Sequence, residues 1–517
     1  MHPFRRAFRS VAAASFTLVV ASLVMADTQA TPEDPMMAGR NGWSTEALIT
    51  VGESVGAYQL PGIPDGIGAF ALNDTTVRLT VHHEFGKTAG SSYTLANGTT
   101  LTGARISYID VDRTTRAVCG AGPAYDRVYD RHGNVVTSGT QINEGASATD
   151  GFDRFCSGRL VQAGERGFEN TIHFANEETF TGFHPHGGSV WALDAINGDL
   201  WACPELGRGA WENVTPIDSG NPRLVALLLS SDEAGSPMFL WIGTKTRGSF
   251  LERNGLARGR LYAWVADNGA VDPGAFNGQG ASLEGRFVRV PNRQRSRAGT
   301  PGYDDDGYLD ADTLYDYAIS LGAFRFSRPE DVHDNPFDGT QVAFASTGRG
   351  QLFPADNWGT VYRIDMDLSD TRRPRAEFTI LWDSDGIAVP DSGIRSPDNL
   401  VWAEDGFIYV QEDRSTSPSS AFGGTTGEEA SLWALDPETG DATRIAQIDR
   451  TAVPAGQTDG SPADIGNWES SGVLDVTRLF VTQPGEKLLL LDVQAHSISL
   501  GSGAQVEGGQ LLFARNY

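Results

Sequence analysis

An all-β chain built as a β-propeller with long loop insertions is what the sequence predicts, and three observations carry that prediction. Short apolar or alternating runs bounded by Gly, Asp, Asn and Pro recur through the middle of the chain, the pattern of many short strands separated by turns. Gly supplies 61 of the 517 residues, so tight turns are abundant. A weak internal repeat joins an aromatic, an aliphatic, Asp and a Gly turn, which suits a blade strand ending in a hairpin.

The N-terminus comes first. Arg5, Arg6 and Arg9 precede an apolar run from Val11 to Met25, and small residues follow around Ala26 and Ala30. A charged region, an apolar core and a cleavage site make residues 1–30 a secretory signal peptide. The run is about 15 residues, short for a membrane anchor. Arg5-Arg6-Ala7-Phe8-Arg9 resembles a twin-arginine signal, and the choice between the two export routes stays open. The mature protein is expected in the periplasm or secreted, without stable membrane insertion. Residues 31–44 read as a flexible lead-in, and residues 45–517 as one propeller domain, since no linker divides them.

Within that domain the strand-like runs include Arg105–Asp110, Gly188–Asp194, Gly359–Asp365, Ser431–Asp436 and Glu486–Asp492. Trp191-Ala192-Leu193-Asp194 leads into Asn197-Gly198-Asp199, and Trp433-Ala434-Leu435-Asp436 into Thr439-Gly440-Asp441. Tyr362-Arg363-Ile364-Asp365 echoes the first half. The copies are farther apart than a usual blade of about 40–50 residues, so either the intervening blades have diverged or the loops are long. Long helical patterns are scarce, with Asp310 to Leu321 the best candidate, and the acidic stretch 296–313 reads as an exposed loop.

Composition excludes other classes. Hydrophobic residues make up 40% of the chain, enough for a large core, so global disorder is excluded. The net charge of −26 argues against nucleic acid as a partner and favours carboxylates gathered around cations. Three cysteines remain, Cys119, Cys156 and Cys203. An odd count leaves at least one unpaired thiol, and a Cys119–Cys203 bridge stays open.

Polar clusters interrupt the apolar runs. They are His82-His83-Glu84, Cys156, Asn176-Glu177-Glu178, Trp211-Glu212-Asn213, Arg328-Pro329-Glu330-Asp331 and Ser396-Pro397-Asp398-Asn399. Gln411-Glu412-Asp413, Trp468-Glu469-Ser470-Ser471 and Asp492-Val493-Gln494-Ala495-His496 complete the series. Loops at strand ends of a propeller converge on one face, so scattered carboxylates can share one site. Oxygen groups suit Ca²⁺, and a thiolate among them suits a transition metal. Asp304-Asp305-Asp306-Gly307 fails the calcium-loop pattern at its first position and its closing Glu, and reads as a solvated loop. His184-Pro185-His186 reads as a surface pair.

In this order the clusters resemble the PhoX-type alkaline phosphatases and their wider family of exported propeller proteins. His82-His83-Glu84 is similar to the family's Asn-His-Glu motif, Cys156 to its metal-binding Cys, and Asn176-Glu177-Glu178 to Cys-Glu-Glu. The Arg-Pro-Glu motif is intact at Arg328–Glu330. Ser396–Asn399, Val410–Asp413, Glu469–Gly472 and Gln494–His496 match the later motifs in order, over about residues 70 to 515. The resemblance implies a six-bladed propeller holding Fe³⁺ and Ca²⁺ and hydrolysing phosphomonoesters, with diesters as a further class. It implies metal ligands among Glu84, Cys156, Glu177, Glu178, Glu212, Glu330, Asp398, Asn399, Asp413 and Glu469. It implies a catalytic group of Glu330, Glu469 and Arg328, acting in a monomer on a small phosphorylated substrate.

Departures place the chain nearer a poorly characterised branch. The Thr-Pro-Trp-Gly segment that follows the Cys in the family is missing, and Asn176 replaces a Cys. Lys245 and Arg247 are open to an anionic substrate or to a salt bridge. The competing readings are a calcium-dependent propeller lactonase or esterase, and a non-catalytic calcium-stabilised surface binding protein.

Overall fold

Alternation of apolar and polar residues, cut by turns, folds this chain into antiparallel meanders. In the computed structural model, residues 31–144, 147–181, 184–500 and 503–517 are described. The expected signal peptide, 1–30, lies outside them. Strands dominate, so the chain is all-β as expected.

The meanders follow one another along the chain. The first holds Pro64–Ala71, Thr76–His83, Arg105–Asp112 and Val118–Pro123. The second runs through Leu160–Val161, Ile172–Asn176, Val190–Asp194 and Asp199–Ala202, with Arg127–Tyr129 added in parallel at its edge. The third begins at Trp211–Ile217 and ends at Ser282–Val290; the fourth begins at Pro329–Asp334 and ends at Arg375–Asp383. Their outer strands pair, which merges them into one nine-stranded sheet. The fifth starts at Pro397–Trp402 and the sixth at Glu469–Asp475.

The innermost strands touch in sequence. Trp211–Ile217 packs on Pro329–Asp334, that strand on Pro397–Trp402, then Glu469–Asp475, and finally Pro64–Ala71. Ile172–Asn176 packs on Trp211–Ile217 and Leu160–Val161 on Pro64–Ala71, which completes a propeller-like ring around a central channel. The hydrophobic clusters lie between successive meanders, where facing side chains interdigitate. The ring is fastened by the N-terminus. Ser44–Thr50 pairs with Gly508–Asn516, so the last sheet takes its outer strand from the start of the chain.

Some expectations are corrected here. The segment 31–44 is built into the fold. Met37–Gly39 pairs with Ala442–Ile448, and Met36 and Met37 are fully buried, because an apolar pair at an open sheet edge is stabilised by pairing. The acidic stretch is not simply solvated: Asp304 is buried and ion-paired to Arg131. His184 is likewise buried. All three cysteines are free thiols, so Cys119 and Cys203 do not bridge. The helix is Ala311–Ser320, capped by the Asp310 carboxylate accepting the Thr313 N–H at 2.9 Å. Lys245 donates to the Gly167 carbonyl at 2.6 Å and pairs with Glu169 at 3.2 Å, a structural role. Among the described residues, no helix is long and apolar enough to cross a membrane.

One buried acid sets a pH dependence of the fold. Asp356 accepts from the Thr360 hydroxyl at 3.1 Å, while its other oxygen has no partner among the described residues. Burial first, then the nearby Asp385, push its carboxyl up to about 8. An acid raised in the fold gives stability that is complete below its unfolded value and is lost as pH rises through about 8. Asp356→Asn is therefore expected to melt at least about 2 °C above the parent near pH 9, with a smaller gap near pH 4. Thermal melts at the two pH values check this.

Candidate metal centre

The innermost strands share a local device. Each register breaks at the same place, by a bulge between Pro64 and Ile67, Trp211 and Val214, Pro329 and Val332, Pro397 and Leu400, and Ser470 and Val473. A bulge bends its strand and re-aims a side chain. The residue at or just before each break is acidic: Asp65, Glu212, Glu330, Asp398 and Glu469. Cys156 stands just ahead of the inner strand of the second meander. Proline opens three of these strands, where a missing N–H costs no ladder bond.

The second strand of each meander returns to the same end of the channel. It delivers a further group there: Glu84, Glu178, Asp232, Thr347, Asp413 and His496. The pairings Pro64 with His83, Trp211 with Ser231 and Pro397 with Glu412 fix this juxtaposition.

These two tiers converge. Ligand atoms of Asp65, Glu84 and Cys156 lie within 4.8 Å of one another, as do those of Cys156, Glu178 and Glu212, and those of Glu212, Glu330 and Asp398. Cys156 Sγ lies 3.2 Å from Asp65 Oδ2. Asn399 Nδ2 donates to Asp65 Oδ1 at 3.2 Å, and Gln494 Nε2 donates to Asp65 and Glu84 at 3.1 Å each. Arg328 grips Asp232 through Nε at 2.5 Å and Nη2 at 2.7 Å, reaches Glu330 at 3.4 Å, and donates from Nη1 to Ser415 at 2.8 Å. Thr347 donates to Glu330, and His496 stands 3.6 Å from Glu469.

The electrostatics call for cations. Burial, followed by repulsion from Glu469 and Glu84, raises the Asp65 carboxyl well above the usual range. Burial and then Asp232 push Glu212 to about 8 and hold Glu330 well up. Burial and then Asp413 push Glu469 to about 7. Burial, then Asp65, keeps the Cys156 thiol protonated. Burial would raise Asp232 too, but Arg328 holds it low. Arg154, Arg328 and protonated His496, raised to about 10 by Glu469 and Glu507 against burial, are too few to balance this set. Among the described residues, Gln494 Oε1 and Asn176 Oδ1 lie buried without a partner. Clustered carboxylates with one thiol and spare carbonyl oxygens fit multivalent cations, which hold both acids and thiol deprotonated.

The expected residues divide clearly. Glu84, Cys156, Glu178, Glu212, Glu330, Asp398, Asn399, Asp413, Glu469 and Arg328 all reach this mouth. Glu177 does not. Successive strand residues point to opposite faces, so Glu178 at the mouth sends Glu177 into the sheet packing. There Glu177 accepts the Trp191 indole N–H at 3.1 Å and the backbone N–H groups of Asp153 and Ser189. Glu412 repeats the arrangement with the Trp433 indole at 2.9 Å, one residue before Asp413. Sequence reasoning missed Asp65 and Asp232. Both sit where an apolar run meets Gly or a second acid, as in Pro64-Asp65-Gly66 and Ser231-Asp232-Glu233. Aligning strand ends across meanders would have found them.

Glu178→Gln is expected to lower bound metal by at least about one equivalent, since one charged ligand is lost. Glu177→Gln should leave metal content unchanged and cost about 1–3 kcal/mol of stability, because three buried donors lose a charged acceptor. Elemental analysis and denaturant melts of both variants check the pair.

Comparison with known proteins bears on this geometry. The profile of the family described as Alkaline phosphatase PhoX matches residues 195–459, more than half of the chain. Pseudomonas fluorescens PhoX, solved with vanadate as a transition-state analogue, superposes with a TM-score of 0.62 at 15% identity, covering 95% of this chain and 97% of that one. At that identity the likeness speaks for the fold. A Dyadobacter fermentans protein of unknown function gives a TM-score of 0.39 at 9% identity, over 92% of this chain and 99% of that one. Curated proteins give no significant match. The ordered strand-end ligands and the profile across the central meanders lead to one assignment: this chain belongs to the PhoX family of alkaline phosphatases, which are phosphoric ester hydrolases.

Proposed function

We infer that the protein is an exported metal-dependent phosphatase, hydrolysing small phosphomonoesters, with phosphodiesters as a secondary class, at a mixed iron and calcium site. One observation carries this reading: a ring of buried carboxylates with one thiol, gathered by strand bulges at one channel mouth in a chain of this family. The six successive meanders support a six-bladed propeller that takes in Met37–Gly39 as well as residues 45–517. The signal-like residues 1–30 support a periplasmic or secreted location.

Cys156 with Asp65, Glu84, Glu178 and Glu212 would hold iron, since thiolate favours a transition metal. Glu330, Asp398, Asp413 and Glu469 offer oxygen ligands that suit Ca²⁺. When bound, such cations neutralise phosphoryl oxygens and activate an oxygen nucleophile. The chain's own groups do the positioning. Asp232 fixes the Arg328 guanidinium, which in turn holds Glu330. His496 keeps its proton beside Glu469 and steadies that carboxylate. Ser157 N–H donates to Glu212 at 3.2 Å, which orients the acid toward Cys156.

Hydrolysis of an aryl phosphate at alkaline pH, by protein exported from a native-like host, tests the reading. Turnover is expected, and a chelator is expected to abolish it. Cys156→Ala should bleach the thiolate-to-iron colour and cut turnover by at least about 100-fold. Metal-replete protein that hydrolyses a lactone but no phosphate ester would overturn the phosphatase reading.

A further inference from the structure

We propose that Arg154 is a substrate-contacting residue, taking a terminal phosphoryl oxygen and favouring phosphomonoesters over diesters. This rests on the phosphatase reading above. Arg154 lies in the stretch before Cys156, with a left-handed φ of 49°. Its Nη2 pairs with Glu84 Oε1 at 2.8 Å, and its Nε donates to Glu178 Oε2 at 3.0 Å. Glu84 and Glu178 belong to the two convergent groups that share Cys156. The guanidinium therefore bridges two carboxylates that each converge with Cys156.

Only one edge of that guanidinium is used. Among the described residues Nη1 has no hydrogen-bond partner, and the side chain is 45% exposed while Glu178 beneath it is 4% exposed. Arg328 is different: all three of its nitrogens are engaged with Asp232, Glu330 and Ser415. Arg154 thus presents free N–H donors on the open side of the carboxylate cluster. A guanidinium held by two carboxylates is oriented in advance, and its remaining donors suit an anionic oxygen. A phosphomonoester dianion carries three terminal oxygens. A diester carries two, and its second ester group fills the place of the third. An arginine above the cation ligands therefore discriminates by charge and by shape.

The test compares the parent with Arg154→Gln and Arg154→Lys, using p-nitrophenyl phosphate, bis(p-nitrophenyl) phosphate and calorimetric binding of orthovanadate. For Arg154→Gln the monoester KM is expected to rise about 10- to 100-fold, the diester KM by less than about threefold, and vanadate to weaken with the monoester. Arg154→Lys should fall between, because a point charge replaces a fork. Metal content and melting temperature are measured alongside. Equal losses on both esters, or loss of metal in Arg154→Gln with parental KM and vanadate binding in Arg154→Lys, would overturn the proposal and leave Arg154 as a clasp on Glu84 and Glu178. A parent that neither turns over phosphate esters nor binds vanadate would instead refute the phosphatase reading itself.

Discussion

Like charges forced together out of water are the constraint on which this molecule turns. Asp65, Glu212, Glu330, Asp398 and Glu469 each enter the channel mouth from a different inner strand, and burial and mutual repulsion raise every one of these carboxyls. Such a set opposes folding unless cations neutralise it. The ring of meanders is what holds the charges together, and the closing pair of Ser44–Thr50 with Gly508–Asn516 holds the ring. Metal binding and closure of the fold are therefore linked: whatever stabilises the mouth draws the inner strands together, and whatever opens the ring separates the ligands.

Bulges make this possible without a long-range plan. An unbroken inner strand would alternate its side chains between the two sheet faces and offer the mouth nothing in particular. An extra residue at its start lets the acid turn toward the channel while the next residue enters an interior polar network. Asp331 illustrates the second role. It accepts from the Asn213 side chain and from the Leu400 backbone N–H at 2.9 Å, tying the third, fourth and fifth meanders together beneath the ligands. The site is thus supported by the same residues that join the ring.

Periodicity made much of this legible. The hairpin echo of Trp191–Asp194 and Trp433–Asp436 marks third strands in two meanders, and in both the indole donates to a glutamate at the end of the second strand. Asp194 and Asp436 close their turns by accepting backbone N–H groups two and three residues on. Most candidate ligands were also legible, because an acid interrupting an apolar run has few places to go but a strand end. Glu177 misled for a local reason. Two adjacent glutamates look alike in sequence, yet a strand sends them to opposite faces, and only the packing of Trp191 decides which one is consumed inside the sheet. Asp65 was passed over because the flanking Pro64 and Gly66 read as an ordinary turn, when they mark a bulged strand start.

The sequence by itself determined the all-β class, the strand-end chemistry and the helix capped by Asp310, since each follows from short-range periodicity and turn residues. It also picked out Cys156, Glu330 and Glu469 as candidate ligands by their order along the chain. The tertiary structure alone decided which acids share one mouth, that the N-terminal strands fasten the ring, and that Arg154 spans Glu84 and Glu178. These depend on contacts between residues tens to hundreds of positions apart, and no local pattern records a distance that only closure of the ring creates.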